Sequence, residues 1–198
     1  MKKILDKLEI PYEIGIGEAA FYGPKLDIQI KNVWGKEDTL ITIQIDQMLA
    51  EKFGMEYVDK DGQKKNPYII HRTSIGCYER TLAYLIEKFA GAFPTWLAPT
   101  QVKILTIAEK FNDYAEKVKD ALMEAGVRVE IDNRNETIGK KIREAQLEKV
   151  PYSLIVGEKE EAENLVAVRK RSVGDLGAKP LSEFVKEIEN EIKTKKLD

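Results

Sequence analysis

The sequence predicts two domains in tandem: an antiparallel α+β domain, then an α/β domain with a mostly parallel sheet. Two patterns point to this. In the first half, apolar and polar residues alternate in short runs set off by turn residues, and the runs close on one amphipathic helix. From Gln101 onward, strand-like and helix-like segments alternate, the order expected of strands joined by helical crossovers. Between the halves, residues 92–99 hold two prolines and Trp96, so the domains are read as 1–98 and 99–198.

Each element has its own signal. Ile4, Leu5 and Leu8 fall at helical spacing before Pro11 stops the turn. Residues 26–30 and 40–46 alternate with period two. This puts Ile41, Ile43 and Ile45 on one face and Thr42, Gln44 and Asp46 on the other. Residues 32–38 turn around Gly35, and residues 59–62 (Asp-Lys-Asp-Gly) read as a hairpin turn. Residues 67–72 form a further strand. Leu82, Leu85, Ile86 and Phe89 then mark a helix ended by Gly91.

In the second domain, strands are expected at 101–107, 127–131, 152–156 and 165–170. Helices are expected through Phe111–Leu122, at 137–149 and at 182–195, the last turning Phe184, Val185, Ile188 and Ile192 inward.

Composition narrows the function. The 198 residues are 43% apolar and 33% charged, ordinary for a soluble globular protein. The net charge of −2 predicts no general nucleic-acid affinity, so a DNA partner is not expected and any RNA site must be a local basic patch. One cysteine, Cys77, and one histidine, His71, exclude a self-contained zinc finger and an internal disulfide. With no signal-type apolar run and no span of membrane length, a cytoplasmic location is expected.

The segment 69–80, Ile-Ile-His-Arg-Thr-Ser-Ile-Gly-Cys-Tyr-Glu-Arg, reads as strand, glycine turn and helix start. Gly76, lacking a Cβ, allows a close backbone approach to a flat ligand. Arg80 lies in the first helical turn, where a cation opposes the helix dipole and a bound anion would offset the cost. By physics alone, an arginine paired with a surface carboxylate explains the same residue.

This segment, followed by Phe93-Pro94-Thr95-Trp96-Leu97-Ala98-Pro99, resembles motif 3 of the class II aminoacyl-tRNA synthetases of the threonyl type. Phe21-Tyr22-Gly23-Pro24-Lys25 and Ile43-Gln44-Ile45-Asp46 resemble the same family upstream. Arg134-Asn135-Glu136, Ile138-Gly139, Lys141-Ile142-Arg143-Glu144, Val150-Pro151-Tyr152 and Val166-Ala167-Val168-Arg169 resemble its anticodon-binding domain. The resemblance covers nearly the whole chain. It implies the end of an antiparallel class II catalytic domain followed by an α/β anticodon-binding domain.

The resemblance also implies roles. Arg80 would contact ATP phosphate, and the backbone at Gly76 would approach the adenine. Tyr22 and Gln44 would line the threonine pocket, with Lys25 near the reacting carboxylate and α-phosphate. His71 would be one of three ligands of a zinc ion that reads the threonine amine and hydroxyl, and magnesium would accompany ATP. An open metal position can take a β-hydroxy amino acid and reject valine.

Asn135, Glu160 and Arg169 would read anticodon bases of threonine tRNA. Each follows or ends a strand, and they are expected to converge on one sheet edge. Lys140, Lys141, Arg143, Lys170 and Arg171 are candidates for phosphate contacts.

Motifs 1 and 2 and the family's other two zinc ligands are not among these residues. The chain by itself is therefore expected not to adenylate threonine, and to need the upstream part of the synthetase or a homodimer partner. A non-catalytic tRNA-binding module and a decayed remnant remain as alternatives.

Overall fold

The computed structural model describes residues 1–197. The chain forms two compact units, residues 1–87 and 88–198.

The first unit opens with α1 (Lys2–Lys7), followed by β1 (Lys25–Lys31), β2 (Glu37–Asp46) and the short α2 (Leu49–Lys52). A hairpin of β3 (Tyr57–Val58) and β4 (Lys64–Lys65) closes through the Asp59–Gly62 turn. Then come β5 (Ile69–Arg72) and α3 (Tyr78–Phe89). The main sheet has the order β1-β2-β5, antiparallel throughout. Its period-two pattern puts Lys25, Asp27, Thr42, Gln44, Asp46 and His71 on one face. Leu26, Ile43, Ile45 and Ile70 are on the other.

Two glycines let the chain lie against β2. A Cβ on Gly23 would sit 2.0 Å from the Ile45 carbonyl oxygen, and one on Gly76 (φ +75°) 2.1 Å from that of Leu40. Among the described residues of this unit, Ala50 is the one buried apolar side chain, and Ile70 of the apolar sheet face is 67% exposed. The apolar stripe expected on α3 is present, but Leu82 and Ile86 remain about half exposed.

The second unit contains β6 (Val102–Thr106), a 3-10 turn (Glu109–Phe111), α4 (Asn112–Glu124), β7 (Val129–Asp132) and α5 (Ile138–Leu147). It continues with β8 (Tyr152–Val156), α6 (Glu158–Glu163), β9 (Leu165–Lys170), β10 (Gly174–Pro180) and α7 (Leu181–Lys193). The sheet order is β10-β9-β8-β6-β7. Strands β7, β6 and β8 are parallel, and β9 and β10 extend the sheet as antiparallel strands. β6 is buried along its whole length. Val102, Ile104, Leu154, Val156 and Val166 form the core with Val118 and Leu122 of α4 and Phe184 and Ile188 of α7.

Three features differ from the sequence expectations. Strand β10 has no clear sequence signal, because Gly174, Gly177 and Pro180 are poor strand formers. It survives as an edge strand with a register shift between Asp175 and Gly177, both glycines at positive φ. The short α6 is almost entirely charged and gives no apolar period.

The third difference is where the chain divides, between Glu87 and Lys88 rather than after residue 98. Cations of the second unit hold the intervening carbonyls. Arg128 donates to the carbonyls of Trp96, Ala98 and Pro99, Arg171 to those of Ala92 and Phe93, and Lys149 to that of Ala90.

Candidate functional site

In the first unit, register brings three of the sequence-predicted residues into one row. Lys25 is opposite Gln44 on β1–β2, and Gln44 is opposite His71 on β2–β5. The Tyr22 hydroxyl donates to Gln44 Oε1 at 2.5 Å, and its ring centroid lies 5.8 Å from that of His71. Tyr22 reaches this position because the chain around Gly23 packs on the Ile45 carbonyl. Tyr22, Lys25, Gln44 and His71 are therefore neighbours on one polar sheet face.

Three further residues complete that face. The Lys25 ammonium lies 2.6 Å from Asp27 Oδ2, and Thr42 Oγ1 donates to Asp27 Oδ1 at 2.8 Å. Asp46 is fully buried. Its Oδ1 accepts from the amides of Met48 and Leu49 at 2.9 Å, and its Oδ2 lies 3.1 Å from His71 Nε2. Burial pushes the Asp46 carboxyl up, but the Leu49 and Met48 amides and the His71 ring outweigh it and hold it below the usual range. The alternation of β2 had already put Thr42 and Asp46 beside Gln44. Asp27 carried the same signal on β1.

The Asp46–His71 contact bears on a metal. A histidine that ligates a metal through one ring nitrogen typically has the other held by a carboxylate. His71 fits that description, with Nδ1 uncommitted among the described residues. No group of three His, Cys, Asp or Glu that could hold a metal occurs among the described residues, so a metal at His71 would need further ligands. Cys77 is exposed and donates to Glu79.

Arg80, in the first turn of α3, is exposed and donates to the Thr39 carbonyl at 2.7 Å. Gly76 has an internal reason to be glycine, the Leu40 carbonyl beneath it.

In the second unit, Asn135 and Glu160 follow the C-terminal ends of the parallel strands β7 and β8, so they share one sheet edge. They lie two strands apart, about 10 Å across the sheet. Arg169 does not join them there. Because β9 runs antiparallel to β8, Arg169 pairs with Ser153, about three residues or 10 Å back from that edge. Its side chain faces a small groove lined with Ile142, Gln146 and Ser153, and its Nη1 is held by Asp175 at 3.1 Å. Asn135 is exposed, and the Glu160 carboxylate folds over Gly157.

The loop carrying Asn135 is fixed on both sides. Arg134 makes a two-pronged contact with Asp132 (Nε to Oδ1 2.8 Å, Nη2 to Oδ2 2.5 Å) and reaches Glu144 of α5 at 2.5 Å. The Arg134 guanidinium, opposed by burial, holds the Asp132 carboxyl below its usual range. Thr137 caps α5, accepting from the Lys140 amide.

Of the five candidate phosphate contacts, three are committed inside the protein. Lys141 is buried, with its ammonium donating to backbone oxygens of Thr106 and Asp132. Lys170 lies beside Glu191 and over the Tyr152 ring, and Arg171 holds backbone carbonyls. Arg143 and Lys140 are exposed, the latter paired with Glu136. No helix among the described residues is long and apolar enough to cross a membrane.

Comparisons with known proteins match a different family in each part of the chain and leave residues 90–100 to neither. Residues 1–89 match the tRNA synthetase class II core domain (G, H, P, S and T), and residues 101–191 match the anticodon binding domain. A threonine–tRNA ligase of Clostridium botulinum is 63% identical over 195 residues, covering 98% of this chain and 30% of the relative. One from Carboxydothermus hydrogenoformans is 50% identical, covering 99% and 31%. The chain thus spans about a third of the length of these relatives. Among solved structures, the RNA binding domain of threonyl-tRNA synthetase from Cryptosporidium parvum superposes with a TM-score of 0.83 at 34% identity, over 96% of this chain and 48% of that one. A prolyl-tRNA synthetase from the same organism, complexed with L-proline and AMP, gives 0.67 at 25% identity, over 92% and 43%.

Proposed function

Since this chain belongs to the threonyl-tRNA synthetase family, with the end of a class II core followed by an anticodon-binding domain, we propose that it supplies one wall of the threonine-activating site and the anticodon reader. The reaction served is ATP-dependent activation of threonine and its transfer to threonine tRNA. The observation that carries the proposal is the row Lys25–Gln44–His71, with the Tyr22 hydroxyl on Gln44.

Each group has a definite task. Tyr22 and Gln44 form a fixed polar pair against which the amino acid rests. Lys25, oriented by Asp27, offers a cation to the carboxylate and α-phosphate oxygens. Arg80 offers a guanidinium fork to phosphate of ATP, which magnesium would accompany. His71, held from behind by Asp46, would contribute one ligand to a zinc ion, which would supply a Lewis-acid site for an amine and a hydroxyl. The set is incomplete within these residues, so activation requires the remainder of a class II core. In the second unit, Asn135, Glu160 and Arg169 read three separate bases, and their spread across the sheet suits an extended single strand.

The test is threonine-dependent ATP–pyrophosphate exchange, by the chain alone and mixed with the separately expressed upstream part of a close relative. We expect no exchange from the chain alone, and exchange from the mixture that falls with Gln44→Ala or His71→Ala. A mixture whose exchange is indifferent to both substitutions would overturn the assignment of the pocket.

A further inference from the structure

Lys141 is among the largest fully buried side chains of the protein, at 1% exposure. Its ammonium has three donors and three acceptors within reach: the Thr106 carbonyl at 2.8 Å, Thr106 Oγ1 at 3.3 Å and the Asp132 carbonyl at 3.1 Å. Those carbonyls end β6 and β7, so one side chain from α5 ties the last residues of two adjacent parallel strands to the helix that follows the loop. On the outer side of the same loop, Arg134 grips the carboxylate of Asp132 and that of Glu144 on α5. Asp132 is therefore held at both its carbonyl and its carboxylate, and Asn135 is three residues further on. A buried charge is costly to desolvate, and one amphipathic turn of α5 could have been sealed with an apolar residue. The lysine instead gives the loop a fixed start.

We propose that Lys141, with Arg134 as its outer counterpart, is a positioning residue for anticodon reading: it fixes residues 132–137 so that Asn135 presents its amide at the sheet edge. Lys141 itself touches no RNA. The inference rests on the reading of Asn135 as a base-reading residue. It differs from that reading in naming the side chains that set the geometry of the reader.

The test compares the affinity of the whole chain for two stem–loop RNAs, one with a threonine anticodon and one with a single anticodon base changed. Wild-type, Asn135→Ala, Lys141→Met and Arg134→Gln proteins are measured. Lys141→Met and Arg134→Gln should each lower the affinity ratio by about tenfold, as Asn135→Ala does. Added to Asn135→Ala, either should lower it no further. A merely structural lysine would change thermal stability and leave the ratio intact. Retention of the wild-type ratio in both variants, while Asn135→Ala loses it, would overturn the inference alone. If Lys141→Met does not fold, Arg134→Gln decides by itself, since the guanidinium is half exposed and the glutamine amide keeps a donor for the buried Asp132 carboxylate. A wild-type protein that binds both RNAs equally would remove the underlying reading, and the inference with it.

Discussion

Gln44 stands directly opposite His71 in the β2–β5 ladder, while its amide oxygen accepts the Tyr22 hydroxyl from the other side. This couples the segment before β1 to strand β5, far apart in sequence, through one central-strand residue. Gln44→Leu should leave a half-buried hydroxyl without a partner and cost the first unit about 1 kcal/mol. Tyr22→Phe added to it should recover most of that loss. A double-mutant cycle in urea unfolding measures the coupling, and simple additivity would show that the bond contributes nothing.

Gly76 tests how tightly the motif segment is laid on β2. Alanine there meets the Leu40 carbonyl at 2.1 Å and must also hold φ at +75°. Gly76→Ala should destabilise the first unit by about 3 kcal/mol. Gly62→Ala, also at positive φ but with open space around it, should cost only about 1 kcal/mol. Equal effects at the two positions would show that the close approach is not rigid.

The two units should unfold separately. The second has a continuous core, whereas the first has almost none among its described residues. Denaturant titration should give two transitions, the first unit melting earlier. Ile104→Ala should shift only the later one, by about 2–5 kcal/mol. A single transition that moves as a whole in the variant would contradict this.

The pH dependence of the second unit follows from buried hydroxyls and carboxylates. Tyr114, donating to the Leu165 carbonyl, is pushed up to about 12 by burial and then by Glu160 and Glu161. Tyr152 is likewise pushed up to about 12, chiefly by burial. A raised folded-state value means that the contribution is complete below the unfolded value of 10.0 and is lost as pH climbs toward 12. Glu191 has the opposite sign. Burial raises it, but Thr95, Tyr152 and Lys170 bring it below 4.5, so its contribution is present above that value and lost as pH falls through the lowered one. Stability measured across pH should thus fall at both ends, and Tyr114→Phe should reduce the alkaline loss.

Much of this was legible in the sequence. The period of β2 fixed which residues share the face with Gln44, but not that Lys25 and His71 are its row partners, since register depends on pairing. The direction of β9 is legible from the length of the connection before it. Only residues 157–164 separate it from β8, too few for a parallel crossover, which needs about a dozen residues. That short connection is what moves Arg169 away from the edge shared by Asn135 and Glu160. Lys141 was not legible: a lysine between Lys140 and Arg143 reads as surface charge, and only the converging ends of β6 and β7 supply the acceptors that let it be buried.

The same distinction between committed and available cations should set the salt dependence of the proposed RNA binding. A cation that neutralises a phosphate releases counterions, and losing it lowers the slope of log affinity against log salt by about 0.7 for a single strand. Arg143 is exposed on α5, the helix that follows the loop carrying Asn135. Lys170 and Arg171 are engaged with Glu191 and with backbone carbonyls of residues 92, 93 and 149. Arg143→Ala should therefore lower the slope for a threonine-anticodon stem–loop by about 0.7. Lys170→Met and Arg171→Met should leave the slope unchanged while lowering thermal stability, because their charges serve the fold. A lower slope in either methionine variant would mean that the RNA draws these side chains out of their internal contacts. The basic surface would then be larger than the free chain displays.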